Sequence, residues 1–215
     1  MNNDDLSALR REYGESVLDE HAMPASPISQ FHLWFDEACQ KEQDDPSAMV
    51  ISTVDALGRA DARVVLLKGV VEDQFVFYTN YESVKAEEIS GNKYVALTFY
   101  WPAWVRQVRI RGEISRVDAA MSDAYFASRP YESQLAATIS KQSRVVPDRA
   151  TLEKAYQDAL KKHGEYSKVQ RPDYWGGYQV LPYAFEFWQG RNNRLHDRVQ
   201  YIRVADVWQK TRLSP

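Results

Sequence analysis

The sequence predicts a mainly β protein, an antiparallel barrel with peripheral helices packed outside it, and three observations carry that expectation. Segments rich in Val, Ile, Phe and Tyr recur at short spacing with polar turns between them. Strand-like segments outnumber helix-like ones and follow in hairpin-like succession, which argues against a parallel α/β sheet. No glycine-rich dinucleotide or phosphate-loop fingerprint contradicts this.

The elements follow in order. "SPISQFHLWFDEACQKE" reads as a helix capped by Ser26, with Pro27 in its first turn and Ile28, Phe31, Phe35 and Ala38 at helical spacing. Cys39, the single cysteine, reads there as a small core residue; alone it forms no internal disulfide and offers no metal-ligand spacing. "AMVISTVD" (48–55), a turn at Gly58, "ADARVVLLKGV" (60–70) and "QFVFYTN" (74–80) read as strands. A short helix near 82–90, stopped by Gly91, leads to "KYVALTFYW" and "VRQVRIRGEISRV". In the latter, Val108, Ile110 and Ile114 share a face with Arg106, and Gln107, Arg109, Arg111 and Glu113 share the other. Two helices follow: one ends before Pro130, and one is capped by Asp148, striped by Leu152, Ala155, Tyr156 and Ala159, and stopped by Gly164. The C-terminal part returns to strands: "WGGYQVLP", "YAFEFWQG", "RVQYIRVAD" and "VWQKTRL".

Length and composition bound the possibilities. The 215 residues, 44% hydrophobic and 27% charged, suit one globular domain. Apolar runs such as "VVLL" (64–67) fall far below the roughly 18 residues of a membrane span, and the start lacks a signal-peptide core, so no membrane association and a cytoplasmic location are expected. A net charge of −3 argues against a broad nucleic-acid footprint.

Against that charge, "FWQGRNNRLHDR" (187–198) concentrates Arg191, Arg194, His196 and Arg198. If 194–198 is extended, Arg194, His196 and Arg198 form one cationic row suited to phosphate or planar carbonyl ligands, with Trp188 as a wall for a flat ring. A solvated strand edge with salt bridges accounts for the same residues. In "YFASRPYES", Tyr125, Arg129 and Ser133 could cradle a phosphate at a helix start; alternatively Tyr125 is core and Arg129 surface. In "RVVLLK", Arg63 and Lys68 fall on opposite faces of a regular strand unless it bulges or ends before Lys68. "SKQSR" sets Gln142 and Ser143 beside Lys141 and Arg144.

Together and in this order, "RREY" (10–13), "RVVLLK", "FYTN" (77–80), "RQVRIRG" (106–112), "YFASRP", "SKQS", "WGGY" (175–178) and "EFWQGRNNRLHDR" resemble the pyridoxine/pyridoxamine 5'-phosphate oxidase family over nearly the whole chain. The resemblance implies an FMN-binding split barrel, a single domain over 1–215 with an N-terminal flap over 1–25, working as a homodimer with FMN at the subunit interface. It implies cofactor contacts at Arg63, Val64, Val65, Leu66, Leu67 and Lys68, at Tyr78, Thr79 and Lys85, and at Gln107, Gln142, Ser143, Trp188 and Arg198. Lys68, Tyr125, Arg129 and Ser133 match groups around the substrate phosphate, Arg10 and Tyr13 the flap, and Arg194 and His196 the catalytic pair beside the reactive carbon. The implied reaction oxidises pyridoxamine or pyridoxine 5'-phosphate to pyridoxal 5'-phosphate, with O2 as acceptor and H2O2 released. In one departure, Val84 stands where the family's Ser-Arg-Lys carries an arginine for the FMN phosphate, which implies weaker cofactor retention. Two rival readings are a related split-barrel flavoprotein with another substrate and a non-catalytic pyridoxal-phosphate-binding protein.

Overall fold

The first helix starts where the sequence places its cap. In the computed structural model, which describes residues 16–41, 45–164 and 168–215, the Ser29 N–H donates to Ser26 Oγ and α1 spans Pro27–Lys41. Its buried face is Ile28, Phe31, Trp34 and Ala38. Cys39 is exposed, not core: one step past Ala38 turns it about 100° off the stripe.

The strands are β1 (Ala48–Val54), β2 (Ala60–Leu66), β3 (Gly69–Val71), β4 (Gln74–Asn80), β5 (Tyr94–Trp101), β6 (Arg106–Arg116), β7 (Trp175–Gln189), β8 (Asp197–Val204) and β9 (Val207–Leu213). Between them stand α2 (Val84–Gly91), α3 (Ala119–Ser128), α4 (Tyr131–Ile139) and α5 (Arg149–His163). The strand order is β2-β1-β5-β6-β7-β4-β3, with β8 on β7 and β9 on β8. The β3–β4, β4–β7, β7–β8 and β8–β9 pairs are antiparallel, as hairpin succession predicts. On β6, Val108, Ile110 and Ile114 are buried while Arg109, Arg111 and Glu113 are exposed.

Three expectations change. The segment 60–70 is two strands, because β2 stops at Leu66 and Leu67 and Lys68 form a connection. The segments around Pro182 are one strand, β7, since the fixed φ of proline fits an extended chain. The apolar stripe of α5 is only partly covered: Ala155, Tyr156 and Ala159 are half-buried, no residue of that helix is fully buried, and Leu152 is 42% exposed. Its ends do follow the sequence, with Asp148 Oδ1 accepting from the Thr151 N–H at 2.7 Å and Gly164 at φ 70°.

The chain divides into two compact units. The first takes Met1–Met49, Leu97–Arg111 and Tyr183–Pro215, and the second Val50–Ala96 and Gly112–Pro182. Aromatic packing fills the first: Phe31 lies 5.1 Å from Phe99, Trp34 meets Phe187 edge-on at 5.3 Å, and Phe187 meets Tyr201 at 5.8 Å. In the second, Phe126, Ala137, Val169 and Trp175 form a buried cluster against which Tyr78, Tyr125, Tyr131 and Tyr174 pack.

Candidate functional site

The "WGGY" glycines position one wall of the site. The β4–β7 register sets Tyr78 opposite Gly177 and Thr79 opposite Gly176. A Cβ on Gly177 would stand 2.7 Å from the Val117 side chain and 2.8 Å from the Tyr78 ring, so only glycine lets that ring lie down there. Tyr78 then stacks on Tyr125 at 3.8 Å, and Trp175 lies parallel to both.

These rings border a cavity of about 830 Å³, wholly within the second unit. Arg63, Val64, Val65, Leu66, Lys68, Tyr78, Thr79 and Lys85 line it from the β2–α2 region. Tyr125, Arg129, Ser133, Gln142 and Ser143 line it from α3, α4 and the following loop. Among its lining residues are the four cations Arg63, Lys68, Lys85 and Arg129, and no carboxylate. Arg63 and Lys68 reach one space because β2 ends before Lys68. Leu67, between them, is buried and does not line the cavity.

The cations differ in their partners. Arg63 is neutralised: Nη2 pairs with Asp61 at 2.6 Å and Glu88 at 3.0 Å, and Nη1 bonds Thr53. Lys85 is buried, and its ammonium donates to three uncharged oxygens, Gln142 Oε1 at 2.8 Å, Thr79 Oγ1 at 3.1 Å and Ser83 Oγ at 3.2 Å. Burial, reinforced by the Arg63 charge, lowers its pKa from 10.5 to about 8. Arg129 follows the last residue of α3; its guanidinium lies 4.6 Å over the Trp175 ring, and its Nη1 is buried without a hydrogen-bond partner. Burial lowers its pKa too. An orphaned guanidinium nitrogen and a buried ammonium among neutral oxygens fit an anion, each with a stated need for negative charge.

The loop after α4, which the sequence marks only by "SKQSR", is tied to the β4–α2 turn. Asn80 Nδ2 donates to Ser140 O at 3.1 Å, Thr79 Oγ1 to Gln142 Oε1 at 3.2 Å, and Arg144 Nη2 to Glu82 O at 3.2 Å. These bonds span about sixty positions, and no local pattern announces them. Val84, the first residue of α2, is 38% exposed beside that turn.

The remaining predicted residues that the structure describes belong to the first unit and do not line this cavity. Gln107 is half-buried on β6, and Trp188 pairs in register with Arg198. The expected extended row of Arg194, His196 and Arg198 does not form. Residues Asn192–Arg194 make a 3₁₀ turn with Asn193 and Arg194 at positive φ, and β8 begins only at Asp197. The turn folds His196 back, so that the Arg191 N–H donates to His196 Nδ1 at 3.0 Å and the imidazole lies 4.8 Å from the Trp188 ring. Arg194 is exposed. Arg10 and Tyr13 lie outside the described residues. Further along the expected flap, Leu18 N–H donates to Asp197 Oδ2 at 3.0 Å, Lys210 Nζ to Met23 O at 2.7 Å and Tyr201 Oη to Pro24 O at 2.8 Å. Among the described residues no group of metal-ligating side chains occurs, and no helix is long and apolar enough to cross a membrane.

A mainly β sheet with outlying helices and a cationic, aromatic-walled cavity defines the split-barrel class. The solved structure of PhzG from Burkholderia lata 383, in complex with tetrahydrophenazine-1-carboxylic acid, superposes with a TM-score of 0.86 at 25% identity, covering 93% of this chain and 98% of that one. A pyridoxamine 5'-phosphate oxidase-related, FMN binding protein from Nostoc punctiforme shares the fold with a TM-score of 0.73 at 16% identity, covering 90% of this chain and 100% of the other. Residues 35–163 match the family model described as pyridoxamine 5'-phosphate oxidase, and residues 175–215 match that of the pyridoxine 5'-phosphate oxidase C-terminal dimerisation region. A pyridoxine/pyridoxamine 5'-phosphate oxidase of Legionella pneumophila is 50% identical over 210 residues, 98% of this chain and 97% of the relative. That of Haemophilus influenzae is 48% identical over 211 residues, 98% of this chain and 100% of the relative. The chain belongs to the pyridoxamine 5'-phosphate oxidase family.

Proposed function

We propose that the protein oxidises pyridoxamine 5'-phosphate and pyridoxine 5'-phosphate to pyridoxal 5'-phosphate, with FMN as cofactor and O2 as electron acceptor. One observation carries the reading: a chain of net charge −3 gives its cavity four cations and no carboxylate, which suits phosphate esters. Full-length relatives of that activity at 48–50% identity support it. The alcohol loses two hydrogens as O2 becomes H2O2; the amine also consumes water and releases ammonia.

When bound, FMN would supply the hydride acceptor and the two-electron route to O2. The side chains do the rest. Lys85 and Arg63, with Thr79, Gln142 and Ser143, hold the cofactor's anionic end, and Tyr78 borders it. Arg129 Nη1, Lys68, Ser133 and the Tyr125 hydroxyl take the substrate phosphate. The Arg194 guanidinium stabilises negative charge near the reacting carbon. Because His196 Nδ1 accepts the Arg191 N–H, the neutral imidazole carries its hydrogen on Nε2 and presents a donor there.

The working unit in this reading is a homodimer in which a second copy completes the flavin site with Gln107, Trp188 and Arg198. Val64 and Leu66, 65% and 37% exposed on the terminal strand β2, are apolar surface that a second copy would cover. A free, exposed Cys39 suits the reducing cytoplasm.

The test is spectroscopic. Purified protein should show a yellow flavin spectrum, bleach on anaerobic addition of pyridoxamine 5'-phosphate with release of pyridoxal 5'-phosphate, and regain its colour in air. A flavin spectrum that neither substrate bleaches would overturn the substrate assignment, and pyridoxal phosphate binding by a protein that takes up no flavin would overturn the enzyme assignment.

A further inference from the structure

We infer that Glu186 is a positioning residue that holds Arg198 in place and sets the strength of the positive charge it presents to the flavin; this rests on the flavin reading above. Glu186 stands on β7 and is 8% exposed. Its Oε1 accepts from Arg198 Nε at 2.9 Å, and its Oε2 accepts from Arg109 Nη1 at 3.3 Å. Arg198 Nη1 donates to Ser214 O at 2.8 Å. Those two bonds use the Nε donor and one of the two Nη1 donors and fix the plane of the guanidinium, which leaves the Nη2 amino group and the second Nη1 hydrogen for a ligand.

The surroundings place this device beside the proposed cofactor contacts. Register pairs Trp188 with Arg198 and Glu186 with Gln200, and alternation puts Glu186 and Trp188 on one face of β7. Arg109, Arg111, Glu186, Arg198 and Gln200 line a polar recess of about 180 Å³ within the first unit.

A buried carboxylate is costly unless paired, and here one carboxylate serves two guanidinium groups, leaving the trio one positive charge in excess. Removing Glu186 therefore releases the orientation of Arg198 and adds an unbalanced positive charge. Positive charge beside a ring that gains negative charge on taking up electrons makes that uptake easier, so the trio tunes the midpoint potential of bound FMN.

The experiment uses the FMN-loaded protein and three variants. Glu186→Gln keeps the shape and an acceptor for Arg198 but removes the charge, and should raise the midpoint potential. Arg109→Met removes a cation from the same trio and should lower it, giving a reading of opposite sign should Glu186→Gln fold poorly. Glu186→Ala should weaken FMN binding about tenfold by freeing Arg198. A potential that moves in neither Glu186→Gln nor Arg109→Met sinks the electrostatic role, and an unchanged FMN dissociation constant in Glu186→Ala sinks the positioning role. A wild-type protein that takes up no FMN overturns the flavin reading and this inference with it, whereas flavin-loaded variants with unchanged potentials overturn this inference alone.

Discussion

The first unit and the cavity of the second meet several of their cations in opposite ways. In the first, five arginines meet carboxylates: Arg106 pairs with Glu37, Arg109 and Arg198 with Glu186, and Arg191 and Arg212 with Asp197. In the cavity of the second, Lys85 touches only neutral oxygens and Arg129 keeps a buried nitrogen without a partner. Carboxylates balance those five arginines, and Arg63 at the cavity, from within the fold, whereas Lys85 and Arg129 are left for an anionic ligand to balance. The contrast separates cations that the protein itself balances from cations that only a ligand would balance.

The largest effects come from removing one member of each class. Asp197 is buried, accepts from the Leu18 N–H, Arg212 and Arg191, and ties the N-terminal arm to β8 and β9. Burial pushes its carboxyl up, but these partners outweigh burial and leave its pKa lowered. Asp197→Ala should cost about 1–3 kcal/mol in chemical denaturation, because it leaves the Leu18 N–H and Arg191 without their acceptor and takes one of its two carboxylates from Arg212. Arg129→Ala should do the reverse: stability unchanged or slightly higher, and KM for the phosphorylated substrate raised roughly 10- to 100-fold through a lost charge-assisted bond, with the flavin spectrum unaltered. Equal stability losses in the two variants would mean that Arg129 is as much a part of the fold's own ion pairing as Asp197.

A smaller effect follows pH. Lys85 titrates near 8 in the folded protein and at its ordinary 10.5 when unfolded, so the unfolded chain binds more protons between those values. Below pH 8 the penalty of burying the cation is fully present, and from 8 to 10.5 its relief should make the flavin-free protein gain stability. FMN affinity should fall over the same range, by at most about tenfold per unit, as the cation is lost. Fluorescence titration and denaturation at stepped pH measure both, and Lys85→Met should flatten both profiles.

The smallest effect falls at Val84. Val84→Arg should tighten FMN binding up to about tenfold at low salt and less at high salt, since the position is partly exposed. Equal dissociation constants for wild type and variant at low salt would mean that this position does not face the cofactor phosphate, or that Arg144 at the same turn already serves it.

Much of this was legible in the chain. Short-range signals marked Ser26 and Asp148 as caps, the alternating faces of β6 and the turn at Gly58, because caps and pleats are local. Motif resemblance carried the family and the identities of the cavity residues. Other features escaped local pattern. The row expected from Arg194 to Arg198 became a 3₁₀ turn, Cys39 faced solvent, and β7 ran through Pro182. The need for glycine at 177 depends on Tyr78, nearly a hundred positions away.

Periodicity, caps and ordered motifs are written in neighbouring residues, and they were enough to set the mainly β class, the family and the residue types at the site. Which cations meet a carboxylate and which meet only neutral oxygens depends on the fold. Arg63 and Lys85 look alike along the chain, and so do Arg129 and Arg198. Asp61, two positions away, and Glu88, 25 away, reach Arg63, and Glu186, 12 away, reaches Arg198, while the fold brings only hydroxyl and amide oxygens to Lys85 and leaves one nitrogen of Arg129 unmatched. The pairing of a charge depends on what lies within a few ångströms, and that neighbourhood exists only once the strands have been set in register.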